Sequence, residues 1–136
     1  AAVCATDTVK VSASPTIART NVAQSFTAAQ RGATLTDATN TGNITLNYDT
    51  YQNFVLTFTG NVTLDNPTTD VVGQSGVMVI IQDGTGSRTL SLGTDYETVG
   101  GAGITLSTAA GSLDVLPYFI STAGKIQLGA PQLAFA

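Results

Sequence analysis

Histidine is absent from this 136-residue chain, so the commonest general base and the commonest metal ligand are missing. Cysteine occurs once, at Cys4, which rules out a disulfide within the chain and, with no histidine, zinc sites of the usual kind. A reduced thiol fits assembly in a reducing cytoplasm. Tryptophan, the usual sugar-stacking side chain, is also missing. Charged residues make up 10% of the chain, against a usual value of about 25%. The cations are Lys10, Arg19, Arg31, Arg88 and Lys125, they form no basic run, and the net charge is −4. Binding to a phosphate backbone or an anionic membrane surface is therefore not expected. No apolar run approaches the ~20 residues that span a bilayer.

What the chain has instead is threonine, 23 of them, and short apolar segments of strand length. Threonine suits a strand and solvates a surface without charge. Residues 1–32 are small and polar, with apolar points at Val9, Val11 and Ile17, and Pro15 disfavours both helix and central strand there. They read as an extended N-terminal arm, with one turn of helix at residues 27–31 before Gly32. Residues 33–136 read as one β-domain. Alternation puts Ile44, Leu46 and Tyr48 on one face, and Phe54, Leu56 and Phe58 on another. Gly60-Asn61 reads as a turn, and residues 73–93 as a hairpin with its turn at residues 83–87. Residues 104–106 and 125–128 read as short strands, and residues 112–122 as a long one, whose Pro117 predicts an edge position or a bulge. Eight or nine short strands at regular spacing predict an all-β fold: an antiparallel β-sandwich, jelly-roll-like.

Candidate chemistry is sparse. The nine acids sit mostly at strand ends beside Gly, Asn, Thr or Pro, where Asp makes turns. Asp95-Tyr96-Glu97 places two carboxylates on one face of an extended segment, the only arrangement resembling a hydrolytic pair. Residues 83–87 have the shape of a calcium loop but one anionic ligand, Asp83. Neither pattern is strong, so no enzyme, no metal and no cofactor is expected. Aromatics at strand periodicity, among them Tyr48, Phe54, Phe58 and Tyr118, read as core.

Several segments in order resemble a module of tailed-bacteriophage structural proteins. They are NVAQSFTAAQRGATLTD at residues 21–37, FVLTFTGNVTLDNP at residues 54–67, GQSGVMVIIQDGTGSRTLSLG at residues 73–93 and LSTAA at residues 106–110. The resemblance covers about residues 21–122 and implies a virion component with no catalytic residues. The favoured expectation is a capsid decoration (cement) protein on the outer surface of a phage head, bound to the major capsid protein as a homotrimer. The alternative is a tail fibre, spike or head-fibre module that binds a host surface receptor through exposed loops, such as residues 83–87 and 98–103. For the cement reading, the contact residues are Val9, Val11, Pro15, Ile17 and Arg19 of the arm, with Leu133 and Phe135 of the uncharged tail.

Overall fold

A computed structural model of the chain describes residues 28–136. The chain divides into two units, Ala1–Arg31 and Gly32–Ala136. The second is all β. Its strands are β1 (Thr34–Ile44), β2 (Asn53–Leu64), β3 (Ser75–Gln82), β4 (Leu90–Leu92), β5 (Tyr96–Glu97), β6 (Leu113–Thr122), β7 (Lys125–Leu128) and β8 (Gln132–Phe135), with one 3-10 turn at Val99–Gly101. The expected turn of helix is not formed, since Ala28 is a bend and residues 29–31 have no regular structure. No helix among the described residues is long and apolar enough to cross a membrane.

The strands form one curled sheet in the order β1-β2-β3-β6-β7-β5, with β4 added beside β2 and β8 beside β6. The expected antiparallel sandwich is corrected here. Four pairings are parallel: β1 with β2, β2 with β3, β2 with β4, and β5 with β7. Parallel neighbours need a connection that carries the chain back to its starting end. Residues 45–52 and 65–74 do this without a helix. The first return contributes Leu46 and Tyr48 to the core, so the space under the sheet is filled by connections rather than by a second sheet.

Alternation on β2 generates the core. Phe54, Leu56, Phe58, Val62 and Leu64 are all buried, and Met78, Ile80, Leu116, Tyr118, Ile120, Ile126 and Leu128 continue the same inner face. Tyr48 packs edge-on against Phe54 and Tyr118, with ring centroids 5.2 and 5.4 Å apart. Its hydroxyl donates to that of Tyr96 at 3.3 Å. Burial pushes the Tyr96 phenol up to about 12 and raises that of Tyr48 as well.

Three local expectations change for identifiable reasons. Gly60-Asn61 is not a turn; β2 continues through it with a bulge against β1, where Asn40 and Gly42 pair with Phe58 and Val62. Gly60 allows close approach instead, since a Cβ there would collide with the Thr41 hydroxyl. Pro117 lies in β6, which is flanked by β3 on one edge and by β7 and β8 on the other. Its carbonyl accepts from Gly129 N, so its missing N–H falls at the gap between β7 and β8, where no ladder bond is lost. Residues 104–106 form no strand, although Leu106 is buried.

Two polar devices hold the ends. Asn53, Asn61 and Asn66 use their side-chain oxygens to accept from Val77, Thr89 and Asp95 N–H at 3.2, 3.1 and 3.0 Å. Asp114, 1% exposed, accepts from Ser107 N and Ser107 Oγ, both at 2.7 Å, and from Ala134 N at 2.9 Å. The last bond holds β8 at a residue with φ +58, outside the usual range for alanine.

Asp114→Ala leaves buried donors unpaired. It is expected to lower unfolding stability by about 3 kcal/mol in denaturant titration. Alkali should also unfold the chain. The phenols of Tyr48 and Tyr96 ionise near pH 10 when unfolded but higher when folded, so stability is full below pH about 10 and falls above it. A tyrosine absorbance titration should show these two phenols ionising late, coincident with loss of the β circular dichroism signal.

Candidate functional site

The segment between β3 and β4 is not a hairpin turn. Phe58 of β2 pairs with Gln82, and Val62 pairs with Leu90, so eight residues of the second chain advance against four of the first. Both β3 and β4 lie parallel to β2 on the same edge, and residues 83–89 loop out between them. Gln82, 2% exposed, closes the loop like a ladder rung: its Nε2 donates to Arg88 O at 2.9 Å and its Oε1 accepts from Arg88 N at 2.8 Å. The Asp83 carboxylate accepts from Thr85 N, Gly86 N and the Arg88 guanidinium, the last at 2.7 Å. Gly86 (φ +75) is buried against residues 108–110, where a Cβ would strike the Thr108 carbonyl. The Arg88 side chain, followed by the Gly86 and Thr85 amides, holds the Asp83 carboxyl down to about 2. That carboxylate is already neutralised by a guanidinium, which leaves a calcium ion no anionic ligand in the loop. Among the described residues no group of three or more His, Cys, Asp or Glu side chains converges.

The Asp95-Tyr96-Glu97 segment uses its Glu97 carboxylate structurally. Tyr96 turns inward. Glu97 accepts from Lys125 Nζ at 2.6 Å and from Gln127 Nε2 at 2.8 Å. These two partners hold the Glu97 carboxyl below its usual range, and Glu97 in turn raises the Lys125 ammonium. A carboxylate paired in this way is a poor proton donor near neutral pH.

Beside this pair lies an open cleft of about 710 Å³. Leu90, Leu92 and Tyr96 form its apolar lining, Ser91, Thr94 and Thr98 supply hydroxyls, and Glu97 supplies its one carboxylate. The glycines at 101 and 103 (φ +68 and +74) bring bare backbone to its edge, and Thr98 Oγ1 fixes that loop by accepting from Gly103 N at 2.9 Å. The loop at residues 98–103 named from sequence thus borders the cleft. A smaller cleft, about 380 Å³, is lined by Tyr48, Asp49, Thr50, Tyr51, Gln52 and Gln74, with Ala33.

The residues anticipated as contact points are placed as follows. Leu133 and Phe135 lie on β8, each 49% exposed. Val9, Val11, Pro15, Ile17 and Arg19 lie outside the described residues. The cleft itself was missed, because Leu90, Tyr96 and Thr98 meet only through the β5–β7 and β2–β4 pairings.

A neutral, hydroxyl-bordered cleft on an all-β frame is a binding shape, and comparison with known families says in what setting. Residues 5–125 match the model of a family described as "putative phage tail fibre C-terminal domain". The chain belongs to that family. No curated protein and no solved structure shows significant similarity to it. The tail-fibre domain is thus a tailed-phage structural module and a virion component. The family favours the tail over the head as its location.

The Asp83 loop makes a direct prediction. In a carboxyl NMR titration Asp83 should show a midpoint near 2, moving toward the ordinary value of about 3.9 in Arg88→Ala. The contribution of this pair is present above pH about 4 and is lost as pH falls through about 2. Amide exchange at Thr85 and Gly86 should accelerate over the same interval.

Proposed function

We propose that this tail-fibre domain is an adhesive module that binds a host surface receptor and performs no catalysis. The observation that carries this reading is the family match over residues 5–125. The geometry supports it. Glu97, the one acid lining the cleft, is paired with Lys125, and hydroxyls of Ser91, Thr94 and Thr98 line the rest. Such a surface recognises a ligand through neutral hydrogen bonds and apolar contact, with little electrostatic steering. The cleft between β4 and residues 98–103 is the contact site.

The purified chain is expected to bind susceptible cells and to block adsorption of the phage. Ser91→Arg, in the cleft, should weaken that competition by about tenfold or more with unchanged thermal unfolding. Antibody labelling of intact particles should mark the tail; labelling confined to the head would overturn the reading.

A further inference from the structure

The main cleft lies along two strand edges that no neighbouring strand occupies. β4 pairs only with β2, and β5 only with β7. At the two ends of β4, Thr89 O accepts from Val62 N at 2.9 Å and Gly93 N donates to Leu64 O at 2.7 Å. Strand residues turn their backbone groups to alternate sides. Ser91 therefore shares the β2 side with Thr89 and Gly93, and the N–H and C=O of Leu90 and Leu92 project from the opposite edge. Neither residue takes a backbone partner from a loop there. β5 repeats the arrangement: Asp95 O accepts from Ile126 N at 2.8 Å, so the Tyr96 carbonyl turns away from β7. Among the described residues, none of β2 or β7 lines the cleft, which places it on these unoccupied sides.

We propose that the cleft binds an extended polypeptide segment of the receptor, which adds to the β4 edge as a further strand. The inference rests on the adhesive reading above and names the class of its receptor, a protein rather than a glycan. Leu90 and Leu92 each offer a donor and an acceptor, about 6.8 Å apart, which is the two-residue repeat of a strand. The side chains alternate too: Leu90 is buried and Leu92 half-buried, with Ser91 exposed between them. A paired segment thus meets apolar and hydroxyl surface in turn. Gly101 and Gly103 bring no side chain to the rim, and a Cβ at either would meet nothing within 4 Å, so a main chain has room to enter. A sugar finds less. Tyr96, the aromatic residue of the lining, is 6% exposed and offers no face to a sugar ring. Glu97, the carboxylate that could clamp two hydroxyls, is already held by Lys125 and Gln127. β1 also has a free edge, but two register shifts break its run and Asp37 takes the Thr39 N–H, so it presents no comparable ladder.

The test titrates the isotopically labelled 136-residue chain with the peptide acetyl-Thr-Val-Thr-Val-Thr-amide and follows backbone amides by NMR. The peptide's valines suit the apolar side and its threonines the hydroxyls. Binding with a dissociation constant of about 1 mM should shift the amides of Leu90 and Leu92 more than that of Ser91, whose N–H faces β2. Leu92→Pro removes a cleft-side N–H without removing a bond to β2, and should weaken binding about tenfold; should that variant fail to fold, the wild-type amide pattern decides. Proteinase K treatment of susceptible cells should abolish binding of the chain, whereas periodate oxidation of their glycans should leave it. Absent or scattered amide shifts, or cell binding that survives proteinase K and is lost to periodate, overturn the proposal and leave the adhesive reading standing. A chain that binds no susceptible cells overturns the adhesive reading instead, and the peptide titration then decides the strand site alone.

Discussion

β2 is the strand on which the rest of the domain is registered. Its inner row, from Phe54 to Leu64, is buried over the whole length, so a slip of one residue in any neighbour would expose an entire apolar face. β1 takes one edge for its full run, and β3 and β4 share the other in series. This sharing works only if the chain can leave the edge of β2 after Gln82 and rejoin it at Leu90. Gln82 and Asp83 make that departure stable: one amide and one carboxylate satisfy the loop's backbone while its ends stay four β2 residues apart. The loop is therefore a consequence of the sheet's register rather than a free appendage. The same register places Leu90 beside Tyr96 and so builds the cleft.

Side-chain facing was legible in the sequence, and strand positions in part, because period two survives whatever the strand pairs with. Phe54, Leu56 and Phe58 face the core as their alternation predicted, and Leu46 and Tyr48 do so even though no strand forms there. Strand direction was not legible. Gly, Asp and Thr at residues 83–87 announce a bend, but a bend that reverses the chain and one that bulges out and resumes have the same composition. Gly60 shows the same ambiguity, since glycine marks a turn and a close approach equally well. Pro117 was expected at an edge or a bulge, but it lies inside β6 opposite the gap between β7 and β8, and only the fold reveals that gap.

The structural use of some acids was visible beforehand. Asp83, set among Gly, Thr and Ser, holds a loop as that setting indicated, whereas Glu97 and Asp114 work from within strands, on Lys125 and on the amides of Ser107 and Ala134. The cleft was not visible, because Ser91, Thr98 and Gly103 are ordinary loop and strand residues until the pairings of β4 and β5 bring them to one edge. The low charge was visible but did not indicate where apolar surface would remain uncovered.

Charge content and sheet architecture meet at this point. A single curled sheet has two faces, and the returning connections at residues 45–52 and 65–74 can fill only the concave one. The convex face must then be solvated or covered. Threonine solvates it at the margins: Thr57 and Thr59 on β2 point outward beyond Val55. At the centre, along β3 and β6, valine, isoleucine and proline stand where a solvated sheet would carry threonine, lysine or glutamate. Strand propensity alone would accept either set. A surface that remains exposed has little use for the apolar choice, because uncovered β-branched rows invite indiscriminate association.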